Sequence, residues 1–318
     1  MNKAYIKIVI LIGLVFISAL LYLTYNLPTR WQYAFNQRVL SLAAIIITAS
    51  SIALATMIFQ TIVNNRILTP GILGLDSLYL LIQTCIIFLF GSVTLLSINS
   101  LTLFLLCSAI MVIFALGLYA LLFAKENQSI FFLLLVGIVF GTFFQSLTGF
   151  MEVLIDPNEF QVAQDIGFAS FNRINTDILW IALGILILTM LSVVKYLCYF
   201  DVLALGKENA INLGVNYSKI TRRLLIIVAV LTAVSTALVG PLMFLGLLVM
   251  NVTFEFMQTH KHKILIPASM LIAMITLVLG QFLVSQIFTF STTLSIIVNF
   301  IGGIYFLYLL LRVSKQCQ

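Results

Sequence analysis

From Tyr5 to Tyr25 the chain carries one charged side chain, Lys7, and apolar stretches of comparable length recur as far as Leu311. About 20 consecutive apolar residues are what an α-helix needs to cross the core of a bilayer. In lipid every backbone N–H and C=O must find its partner within the protein, so only helices and closed barrels can span. Runs without residue-by-residue alternation select helices. Composition agrees, since 62% hydrophobic and 8% charged residues leave too little polar surface to wrap a soluble globule of 318 residues. The expectation is an all-α polytopic membrane protein with a single transmembrane domain over 1–318.

About ten spans are expected: Tyr5–Tyr25, Arg38–Val63, Gly71–Phe90, Leu101–Phe123, Ile130–Met151, Ile178–Tyr199, Leu224–Val239, Leu242–Phe256, Ile264–Ile287 and Leu294–Leu311. The first is read as a retained span, because no small-x-small cleavage site follows it. Gly240-Pro241 separates the seventh and eighth with a bend, since proline breaks the helical hydrogen-bond ladder. Basic residues set the orientation. With both termini in the cytoplasm, all of the 16 Lys and Arg except Arg30, Arg38 and Arg173 fall on the cytoplasmic side.

The longest polar interruption on that side is Asp201–Arg223, DVLALGKENAINLGVNYSKITRR. Its punctuation is that of two short helices. Asp201 can cap a first turn through Leu205, Gly206 breaks it, Lys207–Leu213 form a second, Gly214 supplies a left-handed stop, and Ser218 caps the next long helix. Ala210 and Leu213 then share a face at i, i+3. The segment reads either as a docking element with a small apolar knob or as a solvated connector.

LGKENAINLGV within this segment resembles a cytoplasmic loop of bacterial iron-siderophore and cobalamin ABC importer permeases, the FecCD-type transmembrane subunits. Arg38–Leu75, with its Gln, its loop and Ile-Leu-Gly, resembles the second and third helices of that family. Gly240–Val249 (GPLMFLGLLV) and Ile301–Arg312 (IGGIYFLYLLLR) resemble two later segments, so the likeness covers nearly the whole chain in order. It implies a type II ABC importer permease fold in the bacterial cytoplasmic membrane, with the loop seated in a groove of a separate ATP-binding subunit. Leu205, Gly206, Ala210, Leu213 and Gly214 are the coupling residues it implies. The implied cargo is a ferric siderophore, as in importers of ferric catecholates, with haem or cobalamin as alternatives. Arg38 and Arg30 are the implied docking residues for an extracytoplasmic substrate-binding protein.

The chain departs from the family pattern at several points: Phe35 stands in place of the first of two outer arginines, Arg66 and Ile304 replace prolines, and Met250-Asn251 and Phe254 replace a Pro-His and an arginine. These departures favour a heterodimer with a second, different permease over a homodimer. Neither a cofactor nor a nucleic-acid partner is implied.

The remaining polar residues bear on energy source and path. No Gly-x-x-x-x-Gly-Lys-Ser/Thr loop occurs, so any ATP is hydrolysed by another chain and this one is not an enzyme. An ion-coupled carrier, the other class considered, needs ionisable groups at membrane depth. Asp76 alone qualifies, and it reads as a helix-end cap or as a transport residue. Gln60, Asn65, Gln145 and Asn299 are candidates to line a passage for a chelated cargo, or else to bridge neighbouring helices. Glu152, Asp156, Glu159, Asp165 and Asp177 form an outer acidic stretch, either solvated or a rim for a delivery protein. His260 and His262 read as solvated, and Cys85, Cys107, Cys198 and Cys317 show no metal spacing, so no metal site is expected.

Overall fold

Each apolar run of the sequence carries a helix in the computed structural model, which describes residues 3–26, 31–123, 130–172, 174–288 and 292–316; Gly71–Phe90 opens on a 3-10 turn, and Ile178–Tyr199 breaks after Val194. Among the described residues there are α1 (Lys3–Thr24), α2 (Trp31–Val63), a 3-10 turn (Pro70–Leu73), α3 (Leu75–Phe90), α4 (Ser92–Ser97), α5 (Ser100–Phe123), α6 (Ile130–Leu154) and α7 (Pro157–Ile166). There follow α8 (Thr176–Val194), α9 (Leu197–Leu203), α10 (Lys207–Asn212), α11 (Tyr217–Val239), α12 (Leu245–Met257), α13 (His262–Gln286) and α14 (Leu294–Gln316), with no strand. Seven of these helices are long and apolar enough to cross a membrane, and α3, α12 and α14 contribute shorter apolar stretches. The stretches between the long helices add the short helices α4, α7, α9 and α10.

α2 is the axis of the fold. Its small residues, Ala43, Ala44, Thr48, Ala49, Ser50, Ser51, Ala53 and Ala55, let other helices approach closely where hydrophobicity alone cannot drive association. It packs against α11 and α13 most extensively, and also against α1, α8, α9 and α12. Of its most apolar window 78% is buried, against 17% for α1. Helix α1, with Val9, Phe16 and Ile17 exposed, is therefore peripheral, and the outward rows on α5, α6 and α8 (Ile113, Leu135, Trp180, Leu188) suit contact with lipid or another subunit.

Two elbows interrupt the bundle. Between α2 and α3 the chain turns through Asn64 at φ 53° and Gly74 at φ 80°. Gly74 needs no side chain for a second reason: a Cβ there would lie 2.8 Å from the Cα of Gly141 on α6. One turn away on α6, a Cβ on Gly137 would meet the Cα of Leu73 at 2.9 Å. The second elbow, Gly240–Phe244, lies between α11 and α12, where Ser170 N–H donates to the Val239 carbonyl at 2.9 Å. At one end of the bundle Lys7 donates to the Phe256 carbonyl at 2.6 Å, Tyr217 Oη to the Ile62 carbonyl at 3.3 Å, and Arg66 lies over the Phe254 ring at 4.4 Å. At the other, Ser41 donates to the Phe171 carbonyl and Asn26 to Gln286.

The α6 elbow contact gives a paired test. Gly137→Ala forces backbone apart and is expected to cost about 1–3 kcal/mol. Gly149→Ala, where nothing lies within 4 Å, is expected to leave stability equal or higher through better helix propensity. Thermal unfolding of the two purified variants in detergent distinguishes them.

Candidate functional site

The α9–α10 element leaves the end of α8 and returns to the start of α11 within a short stretch of chain. Gly206 (φ 92°) breaks it after α9 and Gly214 (φ 80°) after α10, both in the left-handed region that side chains disfavour. The turn closes with Gly214 N–H on the Ile211 carbonyl at 2.9 Å and Val215 N–H on the Ala210 carbonyl at 3.0 Å, a pairing that satisfies the last carbonyls of α10. The cap of α11 is Asn216, whose Oδ1 accepts from Lys219 N–H at 3.2 Å, and not Ser218. Both residue types suit the position, and the register of the preceding turn selects between them.

The apolar knob differs from the sequence expectation. Ala210 is fully buried against α9 and α11, so it does not share an outward face with Leu213. The exposed apolar side chains are Leu205, Ile211 and Leu213, at 55%, 50% and 62% exposure, among exposed Lys207, Glu208 and Asn212. Ile211 was missed because a six-residue helix is too short for its periodicity to reveal which side faces inward.

Asp201 lies inside α9 and caps another helix. Its Oδ1 accepts the backbone N–H of His262 at 3.0 Å, closing the start of α13, and stands 2.7 Å from the same residue's Nδ1. His262 is buried, stacked on the Phe200 ring at 5.7 Å, with Nε2 3.0 Å from Thr61 Oγ1 on α2. The expectation of a solvated histidine therefore fails at His262, whose partners are remote in sequence; His260 is exposed, as expected. Burial pushes the Asp201 carboxyl upward, but the His262 N–H, the His262 ring and the Lys263 charge outweigh it and hold the group below the ordinary carboxylate value.

Of the expected outer docking residues, Arg30 falls outside the described residues. Arg38 Nη1 donates to the carbonyls of Tyr25 (2.7 Å), Tyr22 (3.1 Å) and Leu23 (3.4 Å), and Nη2 to Asn26 (3.3 Å). The guanidinium thus closes the C-terminal end of α1, where a cation complements both the unpaired carbonyls and the helix dipole. A docking role would have to draw on donors already engaged. Glu159, on α7, is likewise no free rim residue, since its Oε1 accepts Ser92 N–H at 3.1 Å at the start of α4.

The path candidates divide. Gln60 is buried and donates to the Arg66 carbonyl at 2.8 Å, its Oε1 being without a hydrogen-bond partner, and Asn65 Oδ1 accepts Ile67 N–H at 2.9 Å, so both shape the elbow after α2. Gln145 is exposed on α6 beside Thr142 and Ser146. Asn299, half-buried on α14, has an Oδ1 without a hydrogen-bond partner. Asp76 sits in the first turn of α3, where a carboxylate complements the helix dipole, and accepts from Thr236 Oγ1 at 2.8 Å, tying α3 to α11. It borders a cavity of about 30 Å³ with Thr56, Thr69, Thr232 and Ser235.

The sequence model of the FecCD transport family matches residues 4–312. The petrobactin import system permease protein YclO of Bacillus subtilis is 56% identical over 310 residues, covering 98% of each chain. The petrobactin import system permease protein FatC of Bacillus anthracis is 34% identical, covering 98% of this chain and 89% of the relative. A solved structure, described as an inward-facing conformation of a metal-chelate type ABC transporter, superposes with a TM-score of 0.82 over 96% of this chain and 99% of its own. At 22% identity that likeness establishes the fold alone.

Two outcomes follow from the caps. Replacing Arg38 with Ala is expected to destabilise the purified protein by about 2 kcal/mol through the lost charge-assisted bonds, with Lys restoring only part of it; a side chain used only for docking would leave the unfolding midpoint unchanged. Because the folded-state value of Asp201 is depressed, its stabilisation is complete above the ordinary carboxylate value, about 4, and is lost as pH falls through the lower folded value. Unfolding midpoints of wild type and Asp201→Asn, followed against pH, should converge in acid.

Proposed function

The chain belongs to the FecCD transport family, and on that premise we propose that it is the permease subunit of an ATP-driven importer carrying a ferric siderophore across the bacterial cytoplasmic membrane. Identity of 56% along the full length to a petrobactin import permease carries this reading, and makes petrobactin the cargo to test first. Growth of an iron-limited strain lacking the chain, with ferric petrobactin as sole iron source, tests it, alongside uptake of radioactive iron. Restoration by the intact gene is the expected result, and uptake indifferent to its deletion overturns it.

The end of the bundle bearing Lys7, Arg66, Lys207, Lys219, Arg222 and Arg223 is the cytoplasmic one on this reading, by the excess of basic residues on cytoplasmic loops. It presents α9–α10 to a separate ATP-binding subunit. Leu205, Ile211 and Leu213 form the apolar contact, Gly206 and Gly214 hold its shape, and Ala210 supports it from behind. Gln145 and Asn299 are the side chains left free enough to meet a passing chelate. At the opposite end Arg38 is engaged with α1 and Phe35 is uncharged, so this chain offers an extracytoplasmic binding protein few cations. A second, non-identical permease supplying the others fits that shortage.

Leu213→Glu is expected to weaken the ATP-binding subunit's hold by about 2 kcal/mol, roughly 30-fold, as for a central interface anchor. Its unfolding midpoint should stay unchanged because Leu213 is exposed. Ala210→Glu should instead lower the midpoint, because Ala210 is fully buried. Co-purification of the ATP-binding subunit, read beside thermal unfolding, separates contact from support.

A further inference from the structure

We propose that His262 is the positioning residue through which the α9–α10 element moves α2 and α13 together; this rests on the reading of α9–α10 as the docking surface for the ATP-binding subunit. The buried ring has a partner at each nitrogen. Nδ1 stands 2.7 Å from Asp201 Oδ1 on α9, and because a carboxylate only accepts, Nδ1 donates. Nε2 stands 3.0 Å from Thr61 Oγ1 on α2.

The groups around the ring come from three helices. Asp201 on α9 faces Nδ1, Lys263 is its neighbour on α13 and bears on the Asp201 carboxylate, Thr61 on α2 faces Nε2, and Phe200 on α9 covers one ring face.

Mechanically, one residue fastens three elements. Asp201 Oδ1 holds both the first N–H of α13 and the ring, so α9 and α13 share a single carboxylate oxygen. The ring then reaches the last turn of α2, the enclosed axis of the bundle, where Tyr217 also ties the start of α11 to the Ile62 carbonyl. A push on Leu205, Ile211 or Leu213 from the cytoplasmic side is delivered through α9 to this junction. Fastened there, α9 cannot rotate away from α2 without breaking a charge-assisted hydrogen bond.

The test uses the complete importer in lipid vesicles with its binding protein and ferric petrobactin. Uptake per ATP hydrolysed is measured for wild type, His262→Ala, His262→Gln and Thr61→Val. The expected results are continued ATP hydrolysis with uptake per ATP lowered about tenfold in His262→Ala, partial recovery in His262→Gln, and a smaller loss in Thr61→Val. Thr61→Val keeps the test readable should His262→Ala fail to fold. Unchanged uptake per ATP in His262→Ala and Thr61→Val with the ATP-binding subunit bound overturns the proposal. An ATP-binding subunit that binds Leu213→Glu as it binds the wild type would instead count against the docking surface itself.

Discussion

Every helix end in this protein leaves backbone carbonyl or N–H groups that an apolar surround cannot satisfy, and four of its few charged side chains are committed to that task. Arg38 closes the C-terminal end of α1, Lys7 bonds a carbonyl in the last turn of α12, Asp201 opens α13 and Glu159 opens α4. Ser295 does the same for a single break, accepting Ala169 N–H at 3.1 Å. With only 8% of residues charged, each such contact removes a group that would otherwise be free for cargo or partners. Where helices end therefore governs which polar side chains remain available for function.

The same constraint explains the elbows. A chain that bends between α2 and α3 must satisfy its exposed backbone on the spot, and Gln60, Asn65 and the tight Gly74 turn do so. Packing then tolerates little change, because α6 approaches that turn through Gly137 and Gly141 with no room for a methyl group. The enclosed α2 and its glycine contacts form a rigid frame. In contrast, α9–α10 is anchored by buried Phe200, Leu203 and Ala210 and by the polar contacts around His262, and exposes three large apolar side chains.

Reading the order of residues recovers much of this architecture. Each of the ten apolar runs forms a helix, and the breaks at Gly206, Gly214 and Gly240 fall where small or left-handed residues demand them. The FecCD likeness rests on ordered segments of sequence and survives comparison along almost the whole chain. Less legible were the roles of single polar residues. Arg38, expected to dock a binding protein, caps α1; Gln60, expected to line a path or to bridge helices, braces an elbow.

By itself the sequence determined that the chain is an all-helical membrane protein, where its helices break, and which family it joins. Hydropathy and turn chemistry are properties of neighbouring residues and are read within a window of the chain. Only the tertiary structure decided that Ala210 faces inward while Ile211 faces out, and that Asp201 caps α13 and His262 bridges α9 to α2. The physical reason is separation: Asp201 lies 61 residues from His262, and Thr61 lies 201 residues from it. A hydrogen bond between such partners exists only once the helices carrying them have packed.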